Sequence, residues 1–256
     1  MADLIYLKQE SLARYKTLIL RKYELIQECN QLKVEFTRVF GDLMLAAFRA
    51  QLECLKKKKT IEFCQVYLNR KQEPDVEEMQ EFVRKETATL RGYLQDMADL
   101  HEAAQRVKKT TQAEADEIRR LYRKIAKIIH PDVYPVIMES EYTDALWLMV
   151  QEAYTCNDLE ILQKVDAFLS SAWIEIKEPE IEDFGDKIAE VRKEIQEITE
   201  NELNPYKLLL EDPEKVEVRK RFLEEELESC QAYSRQLDEI LERIMPEGVL
   251  VLWDSD

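Results

Sequence analysis

Apolar residues recur at helical spacing almost from the start of the chain. Leu18, Leu25, Leu32 and Val39 step by seven, Cys29, Phe36 and Leu43 fill alternate positions, and Ile5, Leu12, Ile19 and Ile26 form a second seven-residue series beside them. The pattern predicts one long helix or two over residues 3–69. Its apolar face is wider than the seam of a two-stranded coiled coil, so it is expected to pack against more than one neighbour. Arg70 to Asp75 is a polar break containing Pro74. A second helix follows through Met79, Phe82, Val83, Leu90, Leu94 and Met97 to about Arg106. So short a connection between long helices predicts an antiparallel hairpin.

Beyond Lys108 the periodic segments shorten. Ile118, Leu121, Tyr122, Ile125, Ile128 and Ile129 make one continuous helical stripe, and residues 142–155 form another helix, with Leu146, Met149, Val150 and Ala153 on one stripe and Trp147 beside it. Trp147 and Tyr154 read as core residues, and Trp173 as a candidate for packing at the next junction. Glu178-Pro179-Glu180 interrupts, and a helix carrying Ile188, Val191, Ile195 and Ile198 follows. Asn204-Pro205 is read as a second interruption. The last helix starts at Asp212-Pro213, a good N-cap followed by proline at the first helical position. Val216, Leu223, Cys230, Leu237 and Ile244 then recur every seven residues until Pro246 and Gly248 end it, an imperfect coiled-coil strand.

Composition agrees with an all-α fold. Four glycines in 256 residues leave little room for strand turns or for phosphate-cradling loops, and neither GxGxxG nor GxxxxGK[ST] occurs. Two histidines far apart and five cysteines with no CxxC pair make a structural zinc site an unattractive reading, and no cofactor is expected. No basic segment leads into an apolar run at the start, and no run is long enough to cross a bilayer, so the expected location is the cytoplasm, away from membranes. A net charge of −16 disfavours binding to nucleic acid. That charge is uneven: residues 174–256 hold 25 acidic and 11 basic side chains, which places the acidity in the C-terminal third.

Against that background one helix stands apart. From Arg119 to Ile129 there is no acid, while Arg119, Arg120, Arg123, Lys124 and Lys127 line the faces that the isoleucine stripe leaves open. Such a positive surface suits a negatively charged partner. The helix runs into His130-Pro131-Asp132, where Pro131 pushes His130 out of helical geometry, and the loop is expected to present its polar side chains rigidly. Lys56 to Lys59 is a second cationic run, read as a solvated helix face.

The segment Ile118-Arg119-Arg120-Leu121-Tyr122-Arg123-Lys124-Ile125-Ala126-Lys127, followed by His130-Pro131-Asp132, resembles the second helix and signature loop of J domains, the DnaJ-like co-chaperones. Glu152-Ala153-Tyr154 is similar to the end of their third helix. The resemblance covers residues 113–162. It implies that Arg119, Arg120, Arg123, Lys124 and Lys127 contact a DnaK-type chaperone, and that His130, Pro131 and Asp132 trigger ATP hydrolysis there, the chain itself hydrolysing nothing. There is no counterpart to the Tyr-x-x-Leu-Gly-Val first helix of that family, and Val133-Tyr134-Pro135 replaces its usual polar continuation. The expected organisation is a long helical hairpin at 1–107, a J-domain-like module at 108–172 and an acidic helical or coiled-coil arm at 173–256. Homo-oligomers through the long helices are a second expected interaction. The competing reading is a non-enzymatic helical scaffold with a degenerate J-like module.

Overall fold

The computed structural model describes residues 2–131, 141–171 and 184–244. Among them every regular element is helical: α1 (Ala2–Asn69), α2 (Val76–Arg106), α3 (Gln112–Ile129), α4 (Glu141–Thr155), α5 (Leu159–Ser171), α6 (Gly185–Glu197), α7 (Asn204–Leu210) and α8 (Pro213–Ile244). The fold is all-α, as the pattern predicts. None of these helices is long and apolar enough to cross a membrane. Two compact units share α1: one comprises Met1–Glu35 with Arg106–Glu211, the other Phe36–Gln105 with Asp212–Asp256.

In the unit built on Phe36–Gln105, α1 ends at a Schellman turn. Gln72 N–H reaches the Tyr67 carbonyl at 3.1 Å, Lys71 N–H reaches that of Leu68 at 3.0 Å, and Lys71 takes a positive φ of 56°. The chain then doubles back. Cys64 meets Met79, Lys59 pairs with Glu86 at 3.0 Å, and Arg38 Nε donates to the Ala104 carbonyl at 2.9 Å, so partners run in opposite directions along an antiparallel hairpin. The seven-residue series of α8 is used inside this unit. Leu237 and Leu241 are buried with Cys54, Ile61, Cys64 and Met79, and Cys230 and Ile244 pack against them. The cationic run of α1 is tied down rather than simply solvated: Lys57 bonds Ser234 and Asp238, both at 2.7 Å, and Lys59 also meets Glu62 at 2.9 Å.

In the other unit the first half of α1 packs against several neighbours, which is what its wide apolar face requires. Ile19 is buried with Val191 of α6, Leu25 and Cys29 with Leu203, and Leu20 and Tyr23 lie against the core shared by α3, α4 and α5. Asn204-Pro205 does not interrupt the chain as expected. Residues Ile198–Leu203 form a π-helical turn joining α6 to α7, with Asn204 N–H bonded to Thr199 O five residues back. The widened register accommodates a proline that has no N–H to give. Glu178-Pro179-Glu180, Trp173, Val133-Tyr134-Pro135, Pro246 and Gly248 lie outside the described residues.

Candidate functional site

The helix that carries the basic face is well specified at both ends. Thr111 forms a capping box with Glu114: the Thr111 hydroxyl accepts from Glu114 N–H at 3.3 Å, and the Glu114 carboxylate accepts from Thr111 N–H at 2.8 Å. At the other end His130 N–H closes on the Ala126 carbonyl at 3.1 Å, and ψ at His130 swings to 123° ahead of Pro131. That is the extended geometry a following proline imposes.

Between the caps α3 buries Ile118, Leu121, Tyr122, Ile125, Ala126 and Ile129. They meet Trp147, Val150, Ala153 and Tyr154 of α4 and Leu162, Val165 and Leu169 of α5. On α4 the expected stripe is rotated. Trp147 is buried with Val150 and Ala153, whereas Met149 is 49% exposed, because Trp147 fills the space between Tyr122 and His130. Tyr122 and Tyr154 lie with ring centroids 4.3 Å apart, and burial pushes both phenols above their ordinary range. Among the described residues no group hydrogen-bonds the Tyr122 hydroxyl. The link from α4 to α5 is a second Schellman turn, with Asn157 at φ 56° and Asp158 N–H on the Ala153 carbonyl at 2.7 Å. Asp158 then caps α5 by accepting from Ile161 N–H at 3.2 Å.

The polar side chains of α3 form a long open groove lined by Arg119, Arg120, Arg123, Lys124, Lys127 and the half-buried Ile128, with Asp116 at one end. The structure thus brings the five expected cations onto one continuous surface. Each of four has an acid of this chain beside it. Arg119 lies 3.5 Å from Asp116, Arg120 bonds both oxygens of Glu117 at 2.6 and 2.7 Å, Arg123 forks onto Glu24 of α1 at 2.5 and 3.0 Å, and Lys124 reaches Asp166 of α5 at 2.6 Å. The hydrogen bonds that Arg120 and Arg123 donate to Glu117 and Glu24 hold both guanidiniums above their ordinary pKa. Lys127 has no ion pair among the described residues. The cations are roughly half exposed, and the Arg119–Asp116 and Arg120–Glu117 pairs, exposed on both sides, are worth little individually, so an incoming carboxylate can exchange with them. Glu24 and Asp166 are largely buried and hold Arg123 and Lys124 more firmly. Glu24 and Asp166 could not be picked out as partners from the sequence, since they lie 99 and 42 residues from the cations they meet.

His130 departs from expectation. Its side chain is not presented to solvent: the residue is fully buried, its ring 4.3 Å from Tyr23 in an edge-on contact and 4.6 Å from Trp147. Tyr23 comes from α1, more than a hundred residues earlier, and the aromatic cage it completes has no local sequence signal. Pro131 is exposed and Asp132 lies outside the described residues. The His130-Pro131 turn is thus anchored through its histidine, with Pro131 at the surface.

Among the described residues no group of three or more His, Cys, Asp or Glu side chains is placed to hold a metal ion. Comparison of the chain with family models, with curated proteins and with solved structures gave no match in any of the three.

Proposed function

We propose that this chain is a J-domain-type co-chaperone that docks on a DnaK-type chaperone in the cytoplasm and stimulates its ATP hydrolysis. The observation that carries the reading is the continuous cationic surface of α3, Arg119 to Lys127, ending at the His130-Pro131 turn. Tyr23 and Leu20 of α1, packed on the α3–α5 core, supply support of the kind that the absent first helix would give. The partner's acidic side chains would exchange with Asp116 and Glu117 for Arg119 and Arg120 at little net cost, because exposed pairs are individually weak. They would pair directly with Lys127, and would share Arg123 and Lys124 with Glu24 and Asp166. Docking best to the hydrolysis-competent state would shift the chaperone's population toward it. Residues Asp132, Arg119, Arg120, Arg123, Lys124 and Lys127 would make the contacts, with His130 a positioning residue that holds the turn from inside.

A second reading, a helical scaffold whose J-like module engages no chaperone, is favoured by the buried imidazole of His130. Single-turnover ATPase measurements with a DnaK-type chaperone separate the two. The co-chaperone reading expects stimulation by the wild type, abolished by Asp132→Asn and reduced at least about tenfold by the pair Arg120→Glu and Lys127→Glu, whose exposed positions leave helicity intact. Because His130 is buried, His130→Gln is expected to loosen the fold as well, so it is read beside its own thermal melt. No stimulation by the wild type would leave the scaffold standing, and stimulation indifferent to the charge reversal would remove the basic face of α3 from the contact.

A further inference from the structure

The α8 helix carries two apolar faces, and only one is used within its unit. Leu223, Leu237 and Leu241 are buried. Val218, Phe222, Tyr233 and Ile240 remain 55, 54, 41 and 39% exposed. Their offsets of +4, +15 and +22 from Val218 keep all four within an arc of about 60° on a regular α-helix, so they form a single stripe. Arg219 lies 5.4 Å over the ring of Phe222 and Lys58 lies 5.9 Å over that of Tyr233, which covers one face of each ring and leaves the stripe open to solvent.

We infer that this stripe is a homodimer interface in which the α8 helices of two copies pair antiparallel about Ser229. Three features of the sequence along α8 support a second copy as the occupant. The stripe fits an antiparallel copy of itself about its centre: with Ser229 facing Ser229 of the other copy, Val218 faces Ile240, and Phe222, facing Gln236, enters between Tyr233 and Ile240, while Tyr233 faces Glu225 beside Phe222. An isologous contact has this property, since each residue must serve both roles. A small exposed serine at the crossing point lets the two helices approach closely.

Charge complementarity is the third feature, and it fixes direction. Residues 213–222 carry a net charge of +2 and residues 223–244 a net charge of −5. Antiparallel pairing sets the basic start of each helix against the acidic remainder of the other. The exposed Arg221 and Glu239 are 18 residues or five turns apart in sequence and so on one flank of the stripe, and in this register Arg221 of one copy lies within about 3 Å of Glu239 of the other along the axis. Parallel pairing would lay acid on acid. Cys230, Leu237 and Ile244 of the seven-residue series that the sequence offers for oligomerisation are covered by α1 and α2, which leaves the neighbouring stripe for self-association. The paired segment, Val218 to Ile240, is about 35 Å long and only one side chain wide, smaller than the interfaces of obligate dimers, so the association is weak and reversible, in the micromolar range.

Sedimentation equilibrium of the full chain between about 5 and 200 µM tests this. The wild type is expected to move from monomer toward twice that mass across the range, while Phe222→Glu stays monomeric with an unchanged circular-dichroism melt. Arg221→Glu should weaken the dimer several-fold, and adding Glu239→Arg should restore it. In a Cys156→Ser background, Ser229→Cys treated with oxidised glutathione should give a disulfide-linked dimer and Glu214→Cys should not. A wild type that remains monomeric at the highest concentration, or a dimer that survives Phe222→Glu, overturns the interface. A dimer lost with Phe222→Glu but not rescued by the double charge reversal overturns the antiparallel register. None of these measurements depends on chaperone docking.

Discussion

Gly41 and Gly92 both sit inside long helices, where glycine is ordinarily a weakness, yet they have opposite reasons for being there. A Cβ on Gly41 would strike the imidazole of His101 of α2. That ring is held in place, with Nε2 3.0 Å from the Asp42 carboxylate and Nδ1 3.3 Å from the Thr37 carbonyl oxygen, so it cannot move aside without losing both contacts. Gly92 has nothing within 4 Å of the corresponding position. The two substitutions should therefore move thermal stability in opposite directions. Gly92→Ala is expected to stabilise by about 0.5–1 kcal/mol, the usual gain from replacing glycine in a helix. Gly41→Ala is expected to destabilise by about 1–3 kcal/mol through overpacking. Urea unfolding of both variants is the check; a stabilised Gly41→Ala would mean that the His101 contact does not hold α1 and α2 at close approach.

At the level of the element, α3 and α8 each begin where a carboxylate accepts from backbone N–H groups. Glu114 accepts from Thr111 N–H at the start of α3, and Asp212 accepts from Glu214 and Lys215 N–H at 3.0 and 3.3 Å at the start of α8. Backbone hydrogen bonds, from Thr111 in one case and Lys215 in the other, hold both carboxyls below their ordinary pKa. A depressed folded-state pKa means that the stabilisation is fully present above the unfolded value, about 4 for such groups, and is lost as pH falls through the lower folded value. The pair Glu114→Gln and Asp212→Asn keeps hydrogen-bonding capacity but removes the charge. Thermal melts should show the wild type more stable than this double variant at pH 7, with the difference shrinking as the pH falls below about 4 and both carboxyls protonate. A difference independent of pH would point to a steric role for these side chains.

For the molecule as a whole, the partition of the chain into two units has consequences of its own. One core contains Leu241, Leu237, Cys54, Ile61, Cys64 and Met79, and the α3–α5 core shares no residue with it. Leu241→Ala should cost the first core about 2–5 kcal/mol, the range for emptying a buried leucine site. Native-state amide exchange should then quicken in residues 54–64 and 223–244, while residues 118–129 keep their protection. Equal loss of protection in both regions would show that the units unfold as one. The same separation leaves the stripe on α8 and the groove on α3 on different units, so variants at one are suited as controls for the other.

The sequence by itself determined the helices, because periodicity and capping act over a few residues: the stripe from Ile118 to Ile129, the Thr111 and Asp212 caps and the polar break at residues 70–75 all lie where local physics puts them. It also determined that Arg119, Arg120, Arg123, Lys124 and Lys127 share the open surface of one helix, since a buried stripe forces the remaining positions outward. Which acids meet those cations, and what surrounds His130, was decided only by tertiary structure. Glu24, Tyr23 and Asp166 reach α3 from separate helices, and nothing local in the sequence marks them. Tertiary packing also chose which apolar face of each helix to bury. On α4 it took Trp147 over Met149, because the ring fills the volume between Tyr122 and His130; on α8 it took the Leu223–Leu237–Leu241 face and left Phe222 outside, because α1 and α2 offered a complementary surface to only one of the two. Periodicity shows that a helix has an apolar face, but the volume available among its neighbours decides which face is covered.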